Sequence, residues 1–203
     1  MSQGIRRPFE AVDFEQIQRS YPPPPEYFES DWYASPGEIA RRQLLRLRER
    51  VHMAYRVPFF RKRWDDADFS PDDLQSLDDL WKAPFYTVDD LRQSIEENPP
   101  LGDYQGASFE DAAREPVRIY MSGATTGVAR PTLYTQWDRE VGAILTARVL
   151  YMQGVRPGDI VLNSWAYATH NGAHHYDEAA HRWLSCAVIT TGTGTATSSR
   201  RQI

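Results

Sequence analysis

Cysteine is all but missing from this chain. Its one thiol, Cys186, excludes an internal disulfide and a zinc site built on several cysteines. Long apolar runs are missing too. The best stretch, Val141 to Val155, is broken by Arg148 and Gln153 and falls short of the ~18 residues a membrane span needs. The first residues, MSQGIRRPFEAVDFEQIQ, contain no apolar core of the kind a secretory signal requires. A basic excess is also lacking: 23 Lys and Arg face 28 Asp and Glu, for a formal charge of −5. Membrane-spanning, secreted disulfide-scaffold and collagen-like classes are thereby excluded, and a soluble cytoplasmic protein is expected. The 203 residues are 41% hydrophobic, 25% charged and 12% aromatic, enough for a sizeable core in one or two domains.

Three regions follow from the pattern. Residues 1–34 carry Tyr21-Pro22-Pro23-Pro24-Pro25-Glu26, whose fixed φ angles favour polyproline II, so an extended arm packed by Tyr21, Tyr27, Phe28, Trp32 and Tyr33 is expected. Residues 35–100 read as a helical subdomain. Ser35-Pro36-Gly37-Glu38 is a helix start, and Ala40, Leu44, Leu47, Val51 and Ala54 repeat at helical spacing until Pro58. Ser70, Ser76 and Thr87 each open a further short helix. Residues 101–203 read as α/β. Val117 to Met121, Thr132 to Thr135, Ile160 to Leu162 and Cys186 to Thr190 are predicted strands, with helices over Trp137 to Met152 and Asp177 to Ser185. Strands alternating with helices point to a mostly parallel sheet.

The most informative segment is Ser122-Gly123-Ala124-Thr125-Thr126-Gly127-Val128-Ala129-Arg130, directly after a predicted strand. Glycines let several N–H groups converge on one anion, and the hydroxyls add donors. No Lys follows the second glycine, so this is not a Walker A loop. By composition alone such a segment is more often only a turn between two strands.

Its surroundings add a resemblance. The segment resembles the Ser-Ser-Gly-Thr-Thr-Gly-x-Pro-Lys phosphate loop of adenylate-forming enzymes. The flanks Ala54-Tyr55-Arg-Val-Pro58-Phe59-Phe60-Arg61, Ser76-Leu77-Asp-Asp-Leu80, Pro84-Phe85-Tyr-Thr87-Val-Asp-Asp-Leu91-Arg92, Gly154-Val-Arg-Pro-Gly-Asp-Ile160 and Arg201-Gln202 resemble the phenylacetate–CoA ligase branch, in colinear order over roughly residues 38 to 203. The resemblance implies an ATP-dependent ligase that activates a carboxylic acid as an acyl-adenylate, with ATP, Mg²⁺ and coenzyme A as its substrates. It implies a fold that is a partial adenylate-forming N-domain behind a helical N-terminal portion. Ser122, Gly123, Thr125, Thr126 and Gly127 would cradle the β- and γ-phosphates, and Arg130, in the place of the common lysine, would clamp them. Trp165-Ala166-Tyr167-Ala168-Thr169-His170-Asn171-Gly172 stands in the segment that partly lines the acyl pocket, so Tyr167 and His170 are the substrate-binding candidates. His170 replaces an aromatic, which opens an otherwise aryl pocket to a more polar acid.

The family's downstream acidic motif, ribose aspartate, hinge and lid lysine have no counterpart before Ile203, so the catalytic residues are expected beyond it. The chain therefore reads as the first part of a ligase, inactive alone, whose partner is the missing C-terminal half or a separate subunit. A non-catalytic remnant or interaction module of the same fold is the alternative.

Three signals compete with this reading. His170, His174, His175 and His181 cluster with Asp177 and Glu178, and His174, Glu178 and His181 share a helix face if the helix starts early enough; imidazole with carboxylate suits a metal, whereas the plainer reading is a solvated polar helix and no metal. From Arg41 to Arg63 nine basic residues accompany one acid, Glu49, but the acids at once following cancel much of that field and no nucleic-acid partner is expected. Cys186 reads as a core residue.

Overall fold

The computed structural model describes residues 7–107, 115–122 and 129–193. They fall into two compact units: one takes the described residues of Met1–Tyr33, Phe109–Ser122 and Leu133–Ile203, the other those of Ala34–Ser108 and Gly123–Thr132.

The second unit is helical. Helix α3 (Pro36–Ala54) begins where the sequence says: Ser35 Oγ accepts from the Glu38 amide at 3.2 Å and Pro36 takes the first turn. Pro58 does not merely end it. Proline suits a first helical turn, and Pro58 opens α4 (Pro58–Asp66), which the periodicity of the sequence does not announce. Val51, Trp64, Phe69 and Leu74 form the core between these helices. The segments predicted after Ser70 and Ser76 are 3₁₀ turns, Pro71–Asp73 and Leu77–Lys82, each closed by a capping box. Helix α5 (Val88–Glu97) is capped reciprocally by Thr87 and Asp90, and Arg63 pairs with Asp90 at 3.2 Å while its guanidinium lies over Phe59. The basic run of the sequence is thus partly absorbed locally, since Arg41 and Arg42 both hydrogen-bond Glu38 and hold its carboxyl down to about 2. Tyr104 and Gln105 both donate to the Pro131 carbonyl, at 2.7 and 2.8 Å.

The first unit contains the arm and the α/β elements. The arm is not extended throughout: α1 (Phe14–Ser20) starts on an Asp13 cap and α2 (Glu26–Glu29) follows the prolines. The arm is held by packing. Ile17 is completely buried with Val12 against Ile144, and Arg148 donates twice to the Pro22 carbonyl while lying 3.8 Å from the Tyr27 ring centroid. Strand β1 (Val117–Ser122) pairs antiparallel with β2 (Arg130–Thr135), of which Leu133–Thr135 belong to this unit. Thr135 then caps α6 (Gln136–Met152), whose Ala143, Ile144, Ala147 and Leu150 are buried. Strands β3 (Ile160–Asn163) and β4 (Ala187–Thr190) run parallel, with Ile160 opposite Ala187 and Asn163 opposite Thr190. Among the described residues the parallel character expected of the sheet is carried by this pair. Helix α7 begins five residues earlier than predicted (Gly172–Glu178) and passes into a π turn, Ala179–Trp183. The alanines of that turn, with Leu184 and Cys186, complete the core under α6, so Cys186 is the structural residue expected. Burial pushes its thiol pKa up. No helix among the described residues is long and apolar enough to cross a membrane.

Candidate functional site

Parallel strands leave a crevice beyond their carboxyl ends, where loops diverge and ligands settle. Asn163, the last residue of β3, builds that crevice. Its buried side chain donates to the Ala173 carbonyl at 3.0 Å and accepts from the Trp165 amide at 3.2 Å. Its own carbonyl accepts from the amides of Thr191 and Gly192 at 3.0 and 3.3 Å. One residue therefore fixes the loop after β3, the first turn of α7 and the loop after β4.

The resulting cleft, about 560 Å³, is lined by Arg118 from β1, Arg139 from α6, Tyr167, the α7 residues His174, Asp177 and Glu178, and Thr190 to Gly192. Arg118 and the buried Tyr120 lie two apart on one strand and so share a face. Tyr120 packs against Tyr134, His174 and His175 behind the cleft. Arg139 forms an ion pair with Glu178, both side chains largely buried, and donates to the Gln136 amide oxygen at 3.0 Å. Gln136 in turn donates at 2.6 Å to Glu140, a completely buried carboxylate that also accepts from Trp183 at 3.1 Å and pairs with Arg182. Arg139 is thus held from behind by a chain of polar groups.

The local electrostatics follow from burial. Tyr167 is pushed up to about 12, by burial first and the neighbouring Asp177 charge second, so its hydroxyl keeps its proton. Burial, then the Arg139 charge, lowers His175 below an ordinary histidine value. Burial and the neighbouring Arg118 lower Arg139 from an ordinary arginine value.

The sequence candidates are distributed as follows. Tyr167 lines the cleft. His170 does not: it is exposed, its ring stacks on Trp165, and its Nδ1 accepts from the Gly172 amide at 3.0 Å. Ser122 is the exposed last residue of β1, and the amide before it, Met121, donates to Thr169 at 2.8 Å, next to His170. Arg130 opens β2. Gly123, Thr125, Thr126 and Gly127 lie outside the described residues. The histidine cluster does not converge: among the described residues no three His, Cys, Asp or Glu side chains could share a metal ion. His174 is engaged by Arg118 and Glu178 by Arg139, while His181 is exposed. Sequence reasoning missed Arg118, Arg139 and Asn163. An arginine in a strand or on a first helical turn carries no local signal of what it faces.

Comparison with known proteins points to acid–CoA ligases. The phenylacetate-coenzyme A ligase of Pseudomonas putida is 36% identical over 162 residues, which cover 79% of this chain and 35% of that enzyme. Over that stretch the chain is similar to the phenylacetate-coenzyme A ligases. The Escherichia coli enzyme of the same name is 33% identical over the same shares. The ligase likeness extends to the fold: 2-hydroxyisobutyryl-CoA ligase, solved with 2-HIB-AMP and CoA in the thioesterification state, superposes with a TM-score of 0.73 at 28% identity, over 83% of this chain and 35% of that one. The chain thus spans about a third of the length of the ligases it matches. No family model matches it.

Proposed function

We propose that residues 1–203 supply the phosphate loop and one wall of the acyl pocket of an AMP-forming acid–CoA ligase. The observation that carries this is the Met121–Thr169 hydrogen bond. It ties the end of β1, from which the Gly/Thr loop departs, to the loop bearing Tyr167 beyond the ends of β3 and β4. In this reading an acid bound beside Tyr167 stands on the same side of β1 as Ser122, where the nucleotide loop begins in the sequence, and adenylyl transfer to a carboxylate needs the two held together.

In this reading Mg-ATP is a substrate. The backbone amides of Gly123 and Gly127, the hydroxyls of Ser122, Thr125 and Thr126, and the Arg130 guanidinium hold its β- and γ-phosphates and offset their charge. A carboxylate oxygen of the acid attacks the α-phosphorus, the bond to the bridging oxygen breaks, and pyrophosphate leaves. The coenzyme A sulfur then attacks the acyl carbon of the adenylate, its proton going to solvent or a base, and AMP leaves. Tyr167 shapes the acid's wall. The remaining groups of the reaction come from a further segment or a partner subunit, and the setting is the cytoplasm, where ATP and coenzyme A are both supplied.

Thermal unfolding of the 203-residue chain with and without millimolar Mg-ATP tests this. A rise in Tm that Thr125→Ala/Thr126→Ala removes is the expected result, because a ligand that binds only the folded state stabilises it by mass action. The absence of any shift overturns the nucleotide assignment and favours a non-catalytic interaction module of the same fold.

A further inference from the structure

We infer that the acyl cleft selects an acid that carries a hydroxyl group, and that Arg118 is the residue that reads it; this rests on the ligase reading above. Charged and hydrogen-bonding side chains enter the cleft from three elements. Arg118, Arg139, His174, Asp177 and Glu178 project from β1, α6 and α7 onto the same space as Tyr167. An unsubstituted phenyl or alkyl chain displaces water from these groups without replacing its hydrogen bonds, which is what lets a site reject an analogue that lacks a hydroxyl.

Arg118 is the group with capacity to spare. Among the described residues its one hydrogen bond is to His174 Nδ1 at 3.3 Å, and it has no carboxylate in salt-bridge contact. His174 can accept there because its other nitrogen, Nε2, faces the Ala168 carbonyl at 3.4 Å and carries the proton. A guanidinium has five N–H donors, so this partner leaves most of them for a ligand. Arg139 differs, being committed to Glu178 and Gln136. Around this pair Arg139 Nε, Glu178 Oε2 and the Tyr167 hydroxyl are buried without a hydrogen-bond partner, both donors and an acceptor being represented.

The kind of polar group follows from the charges. Two arginines and two carboxylates line the cleft, so its formal charge balances and a second carboxylate on the acid would face Asp177 and Glu178. A hydroxyl brings no charge. It accepts from Arg118 and has a hydrogen to donate to a carboxylate on the α7 side.

The test uses the full 203-residue chain and stable sulfamoyl-adenosine mimics of the acyl-adenylate, in two matched pairs: hydroxyphenylacetyl against phenylacetyl, and a short hydroxyalkanoyl against its alkanoyl parent. Calorimetric titration is expected to give at least a tenfold preference for the hydroxylated member of one pair, falling below twofold in Arg118→Met. This variant changes an exposed side chain and keeps its aliphatic length. Equal affinities within both pairs overturn the inference and leave the ligase reading standing. So does a preference that survives Arg118→Met, since the hydroxyl is then read elsewhere. Failure of folded protein to bind any of the four mimics overturns the ligase reading and the inference with it.

Discussion

The side-chain amide of Asn163 donates to the main-chain carbonyl of Ala173 at 3.0 Å, joining the end of β3 to the first turn of α7. Both groups are buried, and the bond holds His174, Asp177 and Glu178 where they line the cleft. Asn163→Ala leaves that carbonyl and the Trp165 amide without their partner, so about 1–3 kcal/mol of stability is lost. Urea unfolding at constant m-value measures it. An unchanged midpoint would mean that water replaces the amide at no cost.

Gly102 sits at φ +76, and a Cβ there would meet the Tyr104 ring at 2.6 Å and Ser94 Oγ at 2.7 Å. Tyr104 cannot simply swing aside without breaking its hydrogen bond to Pro131. Gly102→Ala is therefore expected to destabilise by about 1–3 kcal/mol through backbone strain and crowding. Gly106 is the control, since nothing lies within 4 Å of a Cβ there and Gly106→Ala should fall within about 0.5 kcal/mol of wild type. Thermal melts of the two variants decide it, and equal melting temperatures would refute the crowding argument.

His175 supplies a pH dependence with a definite sign. Its folded-state pKa is lowered, by burial first, then by Arg139, His174 and His170. Above the ordinary histidine value of about 6.5 both folded and unfolded forms are neutral there, and its contribution to stability is fully present. As pH falls through that value the unfolded chain takes up the proton first, so stability is lost toward acid. His175→Phe keeps an aromatic ring against Tyr120 and Tyr134 but cannot titrate. The difference in unfolding free energy between the two proteins should change between pH 7 and pH 5. Parallel curves over that range would show that His175 carries no proton linkage.

Local signals in the sequence were the readable ones. Ser35, Thr87 and Thr135 cap the helices that follow them because a cap is decided by four consecutive residues. The four strands lie within a residue or two of expectation for a similar reason, since short β-branched runs bounded by turns need little context. Pro58 was ambiguous: it stops one helix and starts the next, and periodicity sees only the stop. The true start of α7 was hidden because Asn171 makes no side-chain cap, and Gly172 and the paired histidines are poor helix signals. Tyr167, which lines the cleft, is legible only through resemblance. Arg118 and Arg139 could not be, because what they face is set by β1, α6 and α7 together.

The arm held by Arg148 has a temporal meaning as well as an energetic one. Pro22 and Arg148 are separated by 126 residues, yet they share two hydrogen bonds. Contacts so remote in sequence form late, after the loop between them has been closed. During synthesis the segment emerges well before α6 exists, so Ile17 and Val12 spend that interval without the Ile144 surface that buries them. The arm is thus made well before α6, yet it reaches its place only once α6 exists.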